Sequence, residues 1–373
     1  MTKVIDVTLI LVTSLESHIR DKALDALVAS MPNAMVVRHD LLEGERVLRR
    51  VSRGTTSLER TEIPLEHGCL TCTVRLDVLP TVTRVLDALP EDVIVGLPPS
   101  VNADMVLEYL EPQLALRGRA LDSVCLALDP AALEDQMWDN RTLWQAGLSS
   151  VAEDDRTAGE FLVKEIAFAD SSLMLEGLFA HLFETDAPGC QTGGDDFLRG
   201  AQLLTELGPH LAVIHPDEDL APAIYDPQSA RRRSTPGNVN VREGGKGGDG
   251  EGASAQDRAF TTLELHAERP LHPVRLKDAL HGLAEGCVWL RGTLWIGSAP
   301  ETKMVLGGAG PFVWLESQGK WGAETAHTHI ALTSDTNDAY ELAELLRACE
   351  LSDTEILESP NKFDDALRLT DLT

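Results

Sequence analysis

The stretch Val4-Ile5-Asp6-Val7-Thr8-Leu9-Ile10-Leu11-Val12 decides the fold of the first half. An apolar run relieved only by Asp6 and Thr8 reads as a strand buried on both faces of a parallel sheet. After the turn Thr13-Ser14-Leu15-Glu16-Ser17, the residues Ile19, Ala23, Leu24 and Leu27 fall at helical spacing, with Ser17 as the expected cap. Strand then helix recurs: a short strand over 34–37, a strand over 93–97 with a helix over 105–110, a strand over 124–128 with a helix through Leu133, and a helix over 160–168. That alternation predicts a doubly wound, mostly parallel α/β sheet.

In such a sheet the first strand-to-helix turn is the usual phosphate cradle. A cradle needs glycines, so that backbone amides close on the anion, and a lysine to meet its charge. The chain has no glycine before Gly44, and Glu16 repels phosphate. The turn therefore has the topology of a nucleotide pocket without its chemistry.

The chemistry-bearing stretch is Glu66-His67-Gly68-Cys69-Leu70-Thr71-Cys72-Thr73-Val74-Arg75. Two thiols at Cys-x-x-Cys spacing can hold one zinc ion, and Glu66 and His67 are candidates to complete a four-ligand shell or leave it open. Val74, Val78, Val82, Val85 and Leu86 follow at helical spacing, which puts the pair where a loop enters a helix, a place that favours the thiolate. A redox pair and two small buried residues are the competing readings. With no second Cys-x-x-Cys to close a four-cysteine site, an exchangeable zinc is expected over a permanent staple.

Composition bounds the rest. At 373 residues, 43% of them hydrophobic, the chain is long enough for two cores. The net charge of −28, from 60 acidic and 32 basic residues, argues against naked nucleic acid as a partner. The one dense basic cluster, Arg231-Arg232-Arg233, falls in a stretch that reads as disordered. Four further cysteines, Cys125, Cys190, Cys287 and Cys349, are scattered, which fits a reducing cytoplasm. No leader peptide and no membrane span are expected.

Residues 226–258 lose apolar periodicity and gather Gly, Ser and charge, the composition of a flexible linker. Beyond it, strands are expected over 260–266, 286–298, 312–315 and 327–332. Helices are expected after Pro273 and over 339–349, giving one sheet backed by two helices. The final stretch, 359–373, reads as a loose acidic tail. Among side chains that invite a role, His272 is expected to fix the corner before its helix, and Asp129 resembles a position that packs or caps locally. His327 and His329 read more readily as solvent-facing than as ligands. Trp289, Trp295, Trp314 and Trp321 read as core and rim.

With both halves read, the chain resembles the CobW family of metal-linked P-loop GTPases. Arg269-Pro270-Leu271-His272-Pro273-Val274-Arg275-Leu276, Leu290-Arg291-Gly292-Thr293-Leu294-Trp295-Ile296, a Gly307-Gly308-Ala309-Gly310 turn and Gly319-Lys320-Trp321 are similar to that family's C-terminal domain in order and spacing. The family's metal loop, Glu-x-Gly-Cys-x-Cys-Cys, is matched by Glu66, Cys69 and Cys72, with Thr71 in place of the middle cysteine. The family's nucleotide segments are missing: Gly96-Leu97-Pro98-Pro99-Ser100 stands where Glu-Thr/Ser-x-Gly is expected. Ser172 to Gly177 holds no guanine-reading Asn-Lys-x-Asp.

The resemblance thus implies a degenerate P-loop-type domain over 1–225, the linker over 226–258, a smaller α+β CobW C-terminal-type domain over 259–358 and the tail. It implies zinc on Cys69, Cys72, Glu66 and His67, no catalytic residues and no GTP hydrolysis. His67 to Arg75, with Arg38-His39-Asp40, is similar to an actinobacterial branch that recruits a hibernation factor to ribosomes. The leading expectation is therefore a non-hydrolysing adaptor for such a factor or for the ribosome under zinc limitation. A metallochaperone that hands zinc to a client protein is the alternative, and a residual GTPase the third.

Overall fold

The computed structural model describes residues 8–65, 69–88, 91–177, 192–214, 222–239, 258–336 and 338–357, together with Phe363, Ala366, Leu367 and Leu369. The chain divides into two compact units, 1–136 with 141–231, and 137–140 with 232–373.

In the first unit β1 (Leu9–Ser14) leads to α1 (Ser17–Ser30), and β2 (Met35–Leu42) opens a meander through β3 (Arg46–Arg53) and β4 (Thr56–Pro64). A short helix α2 (Leu70–Thr73) widens into a π turn (Val74–Val78) and continues as α3 (Leu79–Ala88). Then come β5 (Val93–Gly96), α4 (Ala103–Leu116), β6 (Ser123–Leu128), α5 (Pro130–Trp138), α6 (Ala158–Phe168), β7 (Ser171–Met174), α7 (Thr192–Leu207), β8 (Ala212–Ile214) and α8 (Pro227–Arg233).

The sheet order is β4-β3-β2-β5-β1-β6-β7-β8. Six strands from β2 to β8 run parallel, and β3 and β4 extend the edge as antiparallel neighbours. The expected α/β sheet is there, with β1 at its centre and every residue of that strand buried. The strand order reverses around β1, so its carboxyl end is where such a sheet opens a crevice.

The β2–β3–β4 meander departs from the expected short strand over 34–37. Its second and third strands are rich in charge, and they are tied by pairs such as Arg49 with Glu59 at 2.8 Å and Arg46 with Glu62. The β3–β4 turn rests on Gly54, at φ 51°, where a Cβ would stand 2.2 Å from the Pro32 carbonyl oxygen. Only glycine fits there.

A buried carboxylate joins two helices of this unit. Glu165 of α6 accepts from Asn102 Nδ2 at 2.6 Å and from the Ala103 amide at 3.1 Å, so it caps the start of α4. Burial pushes its carboxyl up to about 7.

The second unit holds β9 (Thr261–Ala267), α9 (Pro273–Ala284), β10 (Trp289–Leu294), β11 (Thr302–Ala309), β12 (Phe312–Lys320), β13 (Thr328–Ser334), α10 (Ala339–Ala348) and α11 (Asp353–Ile356). Its five strands are all antiparallel in the order β12-β11-β10-β13-β9. Leu265, Leu290, Leu294, Leu306, Ile330 and Leu332 from one face meet Leu276, Leu283 and Leu346 from α9 and α10 in a single core. This is the expected sheet backed by two helices.

Several expectations are corrected. Gly307, Gly308 and Ala309 lie within β11, and the turn falls at Gly310 and Pro311. The glycine at 307 is needed because the Trp314 indole lies against it, 2.4 Å from where a Cβ would sit. Arg231 to Arg233 are helical, at the end of α8, where the composition suggested disorder. In the stretch read as a loose tail, Leu369 is buried in the core, Leu367 packs against it, and Phe363 meets His272 edge-on at 5.4 Å. Among the described residues no helix is long and apolar enough to cross a membrane.

Candidate metal centre

Cys69 occupies the cap position of α2 with extended backbone, and its Sγ accepts from the Cys72 amide at 3.1 Å. Thr73 Oγ1 donates back to the Cys69 carbonyl at 3.1 Å. A thiol thus does the work of a capping hydroxyl, and one helical turn brings the second sulfur round to the first. Both cysteines are free and half-buried. The second competing reading, two small buried residues, fails on this exposure.

The side-chain interaction with Cys69, followed by desolvation and the charge of Cys69, pushes the Cys72 thiol up, with Arg75 opposing. The expected lowering at a helix N-terminus is overturned for Cys72. A thiol set against a neighbouring thiol is held protonated, whatever the backbone dipole offers.

Glu66 and His67, the other two expected ligands, lie outside the described residues. Among the described residues no third His, Cys, Asp or Glu joins Cys69 and Cys72 within 4.8 Å.

The helix beneath the thiols is shaped by its sequence. Pro80 has no N–H for the Leu76 carbonyl. The helix accommodates it by widening, with the Leu79 amide reaching the Val74 carbonyl. Val74, Val78, Val82, Val85 and Leu86 are buried as their spacing predicts. The widened turn also directs Asp77 inward, where Oδ1 accepts from Arg49 at 2.5 Å and Oδ2 stands 3.1 Å from His39 Nε2. The His39 contact is close, yet its angle falls short of a hydrogen bond. Asp77 was not singled out from sequence. Its signal was a lone carboxylate on the apolar side of a valine-spaced helix.

The nucleotide-pocket position is built differently. Only Leu15 and Glu16 separate β1 from α1. Glu16 stands at the cap position, but its carboxylate turns from the helix amides to Gln136 Nε2 at 2.6 Å and His18 Nε2 at 3.1 Å. Burial raises its pKa. Arg20 is wholly buried and donates to the carbonyls of His39 at 2.8 Å and Leu97 at 3.0 Å, and to Asp21 at 2.8 Å and Asp40 at 2.7 Å. Arg50 joins Asp40 and Asp21. Asp40 is desolvated, yet these two arginines hold its carboxyl below the usual range. A cavity of about 470 Å³ opens beside this lattice, lined by Glu16, His18, Asp21, Asp40 and Arg50 among others. Its lining sets the carboxylates of Glu16, Asp21 and Asp40 beside the guanidinium of Arg50 and the imidazole of His18.

Most of the remaining expectations fall into place locally, whereas His327 and His329, expected to face solvent, are both half-buried. His272 Nδ1 accepts from the Val274 amide at 3.2 Å and caps α9, with Pro273 at its first position. Asp129 Oδ1 accepts from the Ala131 amide at 3.0 Å and caps the start of α5. Trp289 and Trp321 are buried, and Trp295 and Trp314 are half-buried. His327 precedes β13, its ring held between Thr325 O at 2.9 Å and Thr293 Oγ1 at 3.2 Å, whereas His329 lies within the strand.

Residues 260–350 match the cobalamin synthesis protein cobW C-terminal domain. The protein named zinc chaperone Rv0106 of Mycobacterium tuberculosis is 27% identical over 293 residues, covering 77% of this chain and 67% of that one. The uncharacterized protein Mb0109 of Mycobacterium bovis matches at the same 27% and the same coverage. Among solved structures, the Zn(II)-bound YjiA GTPase from E. coli aligns over 92% of this chain and 99% of its own, at 11% identity and a TM-score of 0.37, too low to carry an argument. The matched residues lie within the second unit.

Proposed function

We propose that this protein carries zinc on Cys69 and Cys72 and passes it to a client protein. The observation that carries the reading is the geometry of the pair: two adjacent, half-buried sulfurs on one helix start, with no third described ligand closing over them. Thiolate is the strongest zinc donor a side chain offers, and an incomplete shell leaves positions for Glu66, His67, water or an incoming ligand. Loading displaces the thiol protons, and transfer proceeds as client ligands replace the sulfurs one at a time.

A relative named as a zinc chaperone favours this reading over the ribosome-hibernation adaptor that the loop resemblance put first. GTP hydrolysis has no part in it. The β1–α1 turn is two residues long and free of glycine, and Arg20 with its carboxylate partners fills the adjoining strand ends.

The test is cobalt substitution of the full chain. Sulfur-to-cobalt charge-transfer absorption in the near ultraviolet is expected, with loss of that band in Cys69→Ser/Cys72→Ser. A band of equal intensity in the double variant overturns the assignment of the thiols. Calorimetric titration with GTP is expected to give no saturable heat, and a specific isotherm overturns the non-hydrolysing part.

A further inference from the structure

A second cluster of metal-type donors stands among the residues that match the cobW C-terminal domain, in the other compact unit from the thiols. On β9 the side chains of Leu263, Leu265 and Ala267 enter the core, so Glu264 and His266 share the opposite, exposed face. The antiparallel register sets His266 directly across from His329 on β13. Cross-strand partners stand about 5 Å apart at Cβ, and here the two imidazoles stack at 4.0 Å between centroids and 21° between planes. Glu264 reaches across to the same ring, its Oε2 3.0 Å from His329 Nε2. One donor atom from each of the three lies within 4.8 Å of the others, the one such group of three among the described residues.

Two features distinguish this cluster from ordinary surface polarity. It sits on regular strands, with the ladder from Thr328–Ala267 to Ser334–Thr261 fixing both histidines, so the donors converge without any loop rearrangement. It also lies on the edge strand, with Glu264 and His266 exposed, so an ion reaches it directly from solvent. Two imidazole nitrogens and one carboxylate oxygen suit a borderline divalent ion, zinc above all, and are poor ligands for magnesium or calcium. Metal–ligand distances of about 2.0 to 2.2 Å require the donors to draw in by roughly an ångström, which ring rotation supplies. Three protein ligands leave the fourth position of a tetrahedral ion for water or a ligand from another molecule.

We propose that Glu264, His266 and His329 form a second zinc-class site, with nitrogen and oxygen donors, independent of Cys69 and Cys72. Zinc stoichiometry and affinity are measured by competition with a chromophoric chelator on the full chain in the Cys69→Ser/Cys72→Ser background. One zinc equivalent is expected to remain, and cobalt in its place is expected to give visible bands without sulfur charge transfer. Adding His266→Asn with His329→Asn is expected to weaken that binding at least tenfold, and Glu264→Gln by a smaller factor. Because Glu264 and His266 are exposed, circular dichroism and Tm check that the fold persists, and Glu264→Gln with His266→Asn serves if the His329 change unsettles β13. Retention of the zinc equivalent after both histidines are replaced overturns the site, and so does its absence from the cysteine-free background. The sulfur–cobalt band of the otherwise unaltered chain is expected to survive the histidine changes, so failure here and failure of the thiol reading are separately visible.

Discussion

Two helix starts in the first unit face the same electrostatic situation and answer it in opposite ways. At α2 the cap is a thiol, Cys69, whose sulfur takes the Cys72 amide and stays accessible. At α1 the cap position holds Glu16, whose carboxylate turns away, while Arg20, Arg50, Asp21 and Asp40 lock together over the neighbouring strand ends. A helix N-terminus is an anion-type site only when the chain leaves it open. One start is left available to a soft ion, and the other is crowded with fixed charge.

The contrast can be broken most severely at Arg20. Arg20→Met is expected to cost roughly 3 to 5 kcal/mol of stability, because it leaves desolvated Asp40 beside unpaired carbonyls. Denaturant titration measures it, and a loss under about 1 kcal/mol means the lattice does not hold the strand ends together. Cys72→Ser should next lower zinc affinity at the thiols by at least about 100-fold, read by loss of the sulfur–cobalt band, with little change in Tm.

Glu165 sharpens the picture of the β1 side through pH. Its folded pKa, about 7, lies above the ordinary 4.5, so its stabilising share is complete below about 4.5 and fades as pH rises through 7. The loss across that window is at most on the order of 3 kcal/mol. Glu165→Gln keeps an acceptor for Ala103 and should flatten the dependence, and equal slopes for parent and variant would count against the buried carboxyl. The smallest effect is expected from Asp77→Asn under the thiols, about 1 to 2 kcal/mol of stability. Zinc affinity should stay within about threefold, since Asp77 braces the helix and reaches no sulfur. A larger drop in affinity would tie the π turn to the metal.

What the sequence made legible follows from how each element is encoded. Strands β1, β5 and β6 rest on the apolar runs 9–12, 93–95 and 124–128, and α9 announces itself with His272 and Pro273, so all were readable. The β3–β4 pair was not, because Arg46, Arg49, Arg50 and Arg53 on one strand and Glu59, Arg60 and Glu62 on the other leave too few apolar residues for an alternation to show. Gly307 and Gly308 looked like a turn because the reasons for their smallness come from neighbouring strands, the indole of Trp314 against Gly307 and the Phe312 carbonyl and Leu290 side chain against Gly308. Cys69 and Cys72 stand out in the sequence because their spacing is local. The Glu264, His266 and His329 cluster was hidden, since it exists only once residues some sixty positions apart are paired in register.

The ionic meander at the end of the large sheet has one more consequence. Among the described residues β4 is a terminal strand, and an exposed terminal strand is where sheets of different molecules join and aggregate. Arg60, Glu59 and Glu62 along it make that joining costly by setting hydrated charge against any incoming backbone. The same strand delivers the chain to the cysteine loop, so the mount for the proposed zinc pair is also the border that discourages molecules from sticking to one another.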